Sequence, residues 1–159
     1  MSQDDITTAK FKTSKLDIER LNQYFEKFEF ARLPLHSAKD PEQALTTTWR
    51  IVLISLNSEK TPLPLEIYDD ITIGRALGGV QVDLDLTTFR GLELGVSRLH
   101  ARLRPTTETL LLFDQNSTNG TFCNFQLATT TDPLPVANND IITFGILNFQ
   151  LKIVRYPKP

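Results

Sequence analysis

The chain has 159 residues, of which 40% are apolar and 23% charged, values ordinary for one soluble globular domain or a small domain with an extension. Its formal net charge of -2 argues against a general binder of nucleic acid or of anionic membranes, because such proteins are usually strongly basic. The single cysteine, Cys123, excludes an intramolecular disulfide framework and a multi-cysteine zinc site. The two histidines, His36 and His100, are far apart in sequence, so no metal and no cofactor are expected.

The sequence gives no sign of targeting to a membrane. The first residues carry acids and lack the apolar core of a signal peptide. The longest apolar runs, 51–56 and 109–113, are too short to cross a bilayer. With a lone cysteine and no export signal, we predict a cytoplasmic protein that has no membrane partner.

Two compositional biases divide the chain. All seven glycines lie between Gly74 and Gly145, whereas four of the ten phenylalanines lie within residues 11–30. We therefore predict two parts: an N-terminal extension over residues 1–45, which contains an amphipathic helix and a linker, and a β-rich domain over residues 46–159.

The extension contains one helical pattern, over residues 14–32. Ser14 is a suitable N-cap, and Pro34 ends the pattern. The apolar stripe recurs at helical spacing and consists of Ile18, Leu21, Phe25 and Phe28. Two interpretations are open: the stripe packs on the protein's own β domain, or it serves docking or dimerisation. Residues 33–46 are typical of a linker, in which His36 is expected to be exposed.

From Trp49 onward, short runs with strand-like alternation are separated by turn residues. The predicted strands lie within residues 49–56, 63–68, 71–73, 80–87, 98–104, 109–114, 140–145 and 148–154. Many short strands at regular spacing predict an antiparallel β-sandwich or barrel. The sequence has no glycine-rich phosphate loop and no strand–helix alternation, which excludes a nucleotide-binding α/β fold.

Three polar loops between these strands offer one common chemistry. They are Gly74-Arg75, residues 96–100 and residues 116–121. Together they supply a guanidinium, hydroxyls, a carboxamide and backbone N–H groups, which are donors for a tetrahedral oxyanion. None of the loops places a general base beside a nucleophile, so the pattern favours binding over catalysis and predicts no catalytic residue.

The ordered motifs ITIGR, VSRLHARL, LLLFDQNSTNGTF and NNDIITFG closely resemble a forkhead-associated (FHA) domain over roughly residues 49–155. The resemblance implies an all-β antiparallel sandwich of about eleven strands that binds phosphothreonine peptides through loops at one end. It implies a signal-transduction module that recruits a partner phosphorylated in a Ser/Thr kinase pathway. Such a module has no enzymatic activity and no nucleic-acid partner.

The resemblance also assigns roles position by position. Arg75 matches the family's phosphate-binding arginine, and Ser97 matches the serine that contacts the phosphate. Arg98 matches a position that adds backbone or side-chain contacts. Thr118 and Asn119 match positions that contact the peptide beside the phosphothreonine, with the Asn119 carboxamide holding its main chain.

Three further residues match the family's supporting set, in which His100 braces the Ser97 loop and glycines allow tight backbone at Gly74 and Gly120. Simpler interpretations exist for single residues: Arg75 as a surface charge, Ser97 as a turn cap, and Asn119-Gly120 as a hairpin turn. The combination of the three motifs favours the binding site.

Residues beside the motifs have interpretations of their own. Arg98, Arg102 and Arg104 are expected to share a strand face with His100 and to form an electropositive rim. The pair Asp83 and Asp85 is interpreted as a solvated strand face. Cys123 is interpreted as a structural thiol.

The sequence departs from the family's pattern at two turns. Asn139 stands where the family commonly has glycine, and because Asn tolerates positive φ the turn is expected to survive. Asn124-Phe125 stands where Asn-Gly is usual, which puts the detail of that hairpin in doubt. The loop 88–95 is long and is expected to border the peptide groove.

An alternative function also stays open. The sandwich could be structural and not recognise phosphate, with the N-terminal helix mediating association. A further hypothesis concerns Thr7 and Thr8, which follow two acids. Phosphorylated, either threonine would occupy the protein's own site and compete with an added phosphopeptide.

Overall fold

The computed structural model describes residues 15–57 and 62–158. The predicted cap Ser14 and the threonines Thr7 and Thr8 lie outside these residues, as do the side chains of Ile18 and Leu21. The described helices, including one 3-10 turn, are α1 (Lys15–Phe25), α2 (Pro41–Leu45) and the turn Thr87–Phe89.

The described residues also form twelve strands. They are β1 (Ala31–Leu33), β2 (Trp49–Ser55), β3 (Pro62–Ile67), β4 (Ile71–Gly74), β5 (Leu84–Asp85), β6 (Leu99–Pro105), β7 (Leu110–Asp114), β8 (Thr121–Cys123), β9 (Gln126–Ala128), β10 (Leu134–Val136), β11 (Ile141–Phe144) and β12 (Leu147–Arg155).

The strands form two sheets. One has seven strands in the order β1-β3-β2-β12-β11-β8-β9, and the other has five in the order β10-β7-β6-β4-β5. Pairing is antiparallel except between β1 and β3 and between β4 and β5, at the sheet margins. The predicted fold class, an antiparallel β-sandwich with an N-terminal helix, is confirmed.

The core lies between the inner faces of the two sheets, and alternation along each strand supplies it. Its largest fully buried members come from both sheets and include Trp49, Ile51, Leu65, Ile73, Leu112, Phe144 and Phe149. The buried indole N–H of Trp49 has a hydrogen-bond partner, since Nε1 donates to the carbonyl of Thr106 at 2.8 Å. Cys123 belongs to this core, as expected of a structural thiol.

The helix α1 covers part of the outer face of the seven-stranded sheet. The ring of Phe25 is buried against Val52 and Val154, and Phe28 packs beside it. This contact confirms, for Phe25, that the apolar stripe packs on the protein's own β domain. The helix ends at Phe25, earlier than the predicted residue 32, because the following residues enter β1, which adds to the edge of the sheet through β3.

The segment predicted as a linker also contains structure. The short helix α2 begins after Asp40, whose carboxylate accepts from the N–H of Glu42 at 2.8 Å, and Pro41 occupies its first turn. His36 is exposed, as expected. The domain boundary at residues 45/46 stays a prediction.

The strand predicted over residues 80–87 is reduced to Leu84–Asp85. Asp83 accepts from the backbone N–H of Thr72 at 2.8 Å, and Asp85 accepts from that of Thr87 at 3.0 Å. These side-chain bonds replace a regular ladder. The interpretation of the two acids as a solvated strand face holds for Asp85, which is exposed on β5, but not for Asp83, which is half-buried and precedes the strand. Both carboxylates also accept from backbone N–H groups.

The predicted electropositive rim was wrong for Arg102 and Arg104, whereas Arg98 exposes its side chain as expected. The pairing of β4 with β6 shifts register between Ile73 and Gly74, and His100 is buried in the core. Arg102 and Arg104 lie on the opposite side, where both guanidiniums pair with Asp70 at 3.2 and 3.0 Å. These two cations are therefore engaged within the fold and do not line a binding surface.

The two turns whose residues depart from the family's pattern, at Asn139 and at Asn124-Phe125, both form. Asn139 adopts φ 75°, so asparagine supplies the left-handed conformation that glycine would otherwise provide. Asn124 and Phe125 adopt φ 48° and 68° and form a two-residue hairpin between β8 and β9. The hairpin therefore forms without glycine.

Candidate functional site

The end of β4 holds Arg75 against the loop that precedes β6. At Gly74 an added Cβ would lie 2.0 Å from the carbonyl oxygen of Arg98, so only glycine permits this approach. The backbone N–H of Arg75 donates to that same oxygen at 3.0 Å, and its Nε donates to the carbonyl of Val96 at 2.6 Å. Within residues 15–57 and 62–158, the two terminal nitrogens of Arg75 have no hydrogen-bond or ion-pair partner. The guanidinium is thus oriented by one bond and keeps its outer N–H groups for a ligand.

Ser97 connects the second and third loops. Its backbone N–H donates to Nδ1 of His100 at 2.9 Å, and its Oγ accepts from the backbone N–H of Thr118 at 3.1 Å. The carbonyl of the preceding residue, Val96, accepts a hydrogen bond from Nε of Arg75 in the first loop. The three predicted loops therefore meet at residues 96 and 97. The hydroxyl hydrogen of Ser97 is left to donate outward.

His100 braces this meeting point from inside. Its Nε2 lies 2.8 Å from the carbonyl oxygen of Gly120, and its ring packs edge-on against Phe144. Since Nδ1 accepts from Ser97, the hydrogen resides on Nε2, which donates to Gly120. Burial lowers the pKa of His100 below its ordinary value, outweighing the opposite effects of the Gly120 carbonyl and of Asp114. The neutral tautomer therefore joins the second loop to the third.

The third loop presents Asn119 at its tip. Asn119 is exposed, and its Nδ2 donates to the carbonyl of Gly95 at 3.0 Å. Gly95 has φ 81°, and a Cβ there would lie 2.6 Å from that same Nδ2, so the contact depends on glycine. The bond fixes the carboxamide plane and leaves its second N–H and its oxygen available, the two groups that pair with a peptide main chain. Thr118 beside it is exposed.

A residue that the sequence analysis missed, Asp114 at the end of β7, shapes this loop. Its carboxylate accepts from the backbone N–H of Ser117 at 3.1 Å and from the hydroxyl of Thr121 at 2.7 Å. The Ser117 hydroxyl then accepts from the N–H of Gly120 at 2.9 Å, where φ is 90°. An Asp followed by Asn and Ser is a signal for side-chain-stabilised turns, so the FDQNS run could have indicated this role.

The loop 88–95 lies beside Arg75, as expected of a loop at the border of the site. A Cβ at Gly91 would come within 3.3 Å of Cγ of Arg75, and the N–H of Val96 donates to the carbonyl of Gly91 at 2.8 Å. At the outer edge of this loop Leu92 is exposed and Arg90 pairs with Glu93 at 2.6 Å. A role of this loop in sequence preference stays a prediction.

The first loop is anchored by a carboxylate close to Arg75. Asp85 accepts from the N–H of Ala76 at 3.1 Å. Burial raises the pKa of Asp85, but hydrogen bonds from Thr87 and Ala76 and the charge of Arg75 outweigh it, so the pKa lies below its ordinary value. At neutral pH Asp85 is thus ionised and holds the loop that carries Arg75.

The structure brings together all eight residues predicted for the site, with Arg98 contributing its carbonyl to Arg75 and exposing its side chain. Among the described residues, no group of three or more His, Cys, Asp or Glu is placed to hold a metal ion. In the same part of the chain, no helix is long and apolar enough to cross a membrane.

The fold and this loop cluster define a two-sheet β-sandwich protein with a polar candidate site, which contains Arg75 and Arg98, where three loops meet. A model of the FHA domain family matches residues 71–145, which span all three loops. The predicted resemblance to a forkhead-associated domain is therefore confirmed over these residues. No curated protein matches the chain.

Solved structures, among them FHA domains, share this architecture. A structure from a study of phosphothreonine-dependent FHA domain interactions is 25% identical and covers 65% of this chain and 95% of its own, with a TM-score of 0.51. The FHA domain of an Arabidopsis thaliana protein is 19% identical, and the match covers 77% of this chain and 99% of that domain, with a TM-score of 0.55. The yeast splicing factor Pml1 is 16% identical and covers 80% of this chain and 100% of its own, with a TM-score of 0.55. The last two establish likeness of fold alone.

Proposed function

We propose that this protein is a phosphothreonine-peptide-binding module that recruits a partner phosphorylated by a Ser/Thr kinase. The observation that carries the proposal is the meeting of three loops at residues 96–97. Within the described residues, this arrangement leaves the terminal nitrogens of Arg75 and the hydroxyl hydrogen of Ser97 available to a ligand, while the Ser97 oxygen accepts from Thr118. A phosphate brings about -1.5 to -2 charge and three strong acceptor oxygens. Arg75 can bind two of those oxygens at once.

The same arrangement accounts for recognition of peptide as well as phosphate. Asn119 is held by Gly95 with its carboxamide oxygen and one N–H available. In this proposal those groups pair with the main chain beside the phosphothreonine, while Thr118 and Arg98 border it. The site offers donors but no nucleophile paired with a base, which supports binding without catalysis.

The proposal places the protein in signal transduction and in the cytoplasm, with no nucleic-acid or membrane partner. The rival function, association through the N-terminal helix, loses support because Phe25 is buried against Val52 and Val154 of its own sheet. An affinity based on a charged phosphate also predicts that binding weakens as salt is raised.

A phosphothreonine peptide library, compared with the same peptides unphosphorylated, tests the proposal. We expect binding only to phosphorylated members, with the backbone amide signals of Ser97, Thr118 and Asn119 shifting in NMR titrations of a selected peptide. The signal of Arg20, exposed on α1, is the internal control and should not move. Equal affinity for a phosphorylated peptide and its unphosphorylated twin, or shifts confined to α1, would contradict the proposal.

A further inference from the structure

The outer face of the seven-stranded sheet carries an apolar surface that α1 does not cover. It consists of Phe122 on β8, Phe125 in the following hairpin, Leu127 on β9 and Ile146 between β11 and β12, and we name it the outer patch. Phe125 is 86% exposed, Ile146 62% and Leu127 54%. Contiguous exposed apolar surface of a few hundred Å² commonly marks a site of interaction.

Phe125 is held in a conformation that its residue type disfavours. With φ 48° at Asn124 and 68° at Phe125, the hairpin is a two-residue turn of the kind that favours glycine at its second position. A bulky side chain with positive φ is a genuine outlier and marks stored strain. Because the ring of Phe125 is almost fully exposed, the monomer recovers little of that strain by packing. The position is therefore explained best by a contact outside the monomer.

The outer patch combines a projecting aromatic ring, that of Phe125, with a neighbouring cleft. Phe122, Phe125 and Ile146 border a cleft of about 300 Å³, which Thr143, Gly145 and Asn148 also line. The ring of Phe125 stands at the border of this cleft and projects into solvent. A two-fold interface places the same patch on both subunits, so it must be self-complementary. A projecting aromatic ring beside a cleft of this size meets that requirement, because each copy can insert its ring into the other.

The low charge of the segment that supplies the outer patch also fits a second copy. Residues 115–151 contain only two charged residues, Asp132 and Asp140, whereas 23% of the whole chain is charged. The carboxylate of Asp140 is engaged with the side chain of Asn124 at 2.9 Å and the backbone N–H of Ala137 at 2.7 Å. Depletion of charge with aromatic enrichment is typical of interface cores. Two copies of the surface that residues 115–151 supply meet with little like-charge repulsion from this segment, and the segment offers few charges to a strongly charged partner.

We propose that the outer patch is the interface of a two-fold homodimer, with Phe125 as its anchor. With about 170–200 Å² for each whole side chain, the exposed fractions of Phe125, Leu127 and Ile146 amount to roughly 350–400 Å² per subunit. A standard interface buries about 800 Å² per partner. These residues would form the centre of the interface, with the neutral polar residues around them as its rim. We therefore expect a dimer that dissociates at micromolar concentrations.

The dimer would carry two loop clusters, one in each subunit, and each would lie next to the interface. The backbone N–H of Ile146 donates to the carbonyl of Leu94 at 2.9 Å, next to Gly95, which holds Asn119. The outer patch thus adjoins the loop cluster without including its ligand-facing groups. Two linked sites favour partners that carry two matching segments, since the second contact becomes intramolecular.

Sedimentation velocity of the full chain from about 1 to 500 μM tests the dimer. The wild type should pass from the 18.0 kDa monomer to the dimer as concentration rises. Phe125→Gly should raise the dissociation constant at least about a hundredfold, since the loss occurs twice per dimer and each tenfold step corresponds to ~1.4 kcal/mol. Ile146→Ser should act in the same direction. Leu45→Ser, at a residue 62% exposed on α2, is the matched control and should leave the dimer intact.

Phe125→Gly carries a second readout that separates an interface role from a structural one. Glycine suits φ 68°, so the variant monomer should be as stable as the wild type or more stable in urea denaturation. Loss of the dimer with retained stability supports the proposal. A wild type that stays monomeric throughout the range overturns it, as does a dimer that both Phe125→Gly and Ile146→Ser leave unchanged. A monomer that captures a different apolar partner would also overturn it.

Discussion

Replacing His100 tests the connection between the core and the binding loops. The ring has no exposed surface, accepts from the N–H of Ser97 at 2.9 Å and donates to the carbonyl of Gly120 at 2.8 Å. His100→Ala removes both bonds at once and opens a cavity next to Phe144. A buried N–H without a partner costs about 1–3 kcal/mol, and the cavity adds to this. We expect a loss of about 2–4 kcal/mol in the free energy of unfolding.

The same substitution should weaken phosphopeptide binding indirectly. Without the ring, the Ser97 loop is no longer tied to Gly120, so its donors are less well ordered before the ligand arrives. We expect a loss of roughly three- to tenfold in affinity, smaller than that for a residue in direct contact with phosphate. Urea denaturation and isothermal titration on the same preparations measure the two effects. The exposed His36 supplies the control, and His36→Ala should match the wild type in both.

The pH dependence of stability follows from the direction of the His100 pKa. Burial lowers this pKa in the folded state, so the unfolded chain binds the proton more tightly. The contribution of the neutral ring is complete above the unfolded-state pKa of about 6.5 and is lost as the pH falls below it. Urea midpoints should therefore decline from pH 7.5 to 5.5 more steeply in the wild type than in His100→Asn. Parallel pH profiles, or a His100→Ala protein as stable as the wild type, would refute this account of the ring.

Three further predictions concern other parts of the molecule. Asn119→Ala should weaken phosphopeptide binding about tenfold in isothermal titration while leaving stability unchanged, since its side chain is exposed; unchanged affinity would remove Asn119 from the site. Phe25→Ala should cost about 3 kcal/mol of unfolding free energy, because the ring is buried on the outer face, whereas Arg20→Ala on the same helix should cost little. Cys123 should resist thiol reagents in the native protein at pH 8 and react in denaturant, because burial, together with Asp140, raises its pKa to about 12; rapid native labelling would contradict that.

The sequence predicted best what depends on periodicity and on motifs within single loops. The sandwich class followed from alternation, and the loops around Arg75, Ser97 and Asn119 were located by their residues. The register of the strands could not be predicted in this way. The shift opposite Gly74 sends His100 into the core, whereas alternation alone placed it on the same face as Arg102. Alternation over residues 80–87 was misleading because Asp83 and Asp85 bond to backbone groups of other segments.

The contacts between loops were equally hidden from the sequence. The bond from Asn119 to Gly95 and that from Thr118 to Ser97 join residues more than twenty positions apart. Only the folded chain shows that the glycines at 74 and 95 permit close approaches, at 2.0 and 2.6 Å for an added Cβ. The sequence suggested which residues could bind phosphate, but not that one meeting point at residues 96–97 orders them.

The most direct test of the central claim is isothermal titration of one phosphothreonine peptide with the wild type and with Arg75→Ala. A hydrogen bond to a charged group contributes about 1.5–3 kcal/mol, so we predict a loss of roughly ten- to hundredfold or more, since each ~1.4 kcal/mol is tenfold. Arg20→Ala, which removes an exposed cation from α1, should bind as the wild type does. An Arg75→Ala protein that stays folded and binds the phosphopeptide with wild-type affinity would contradict the assignment of the site.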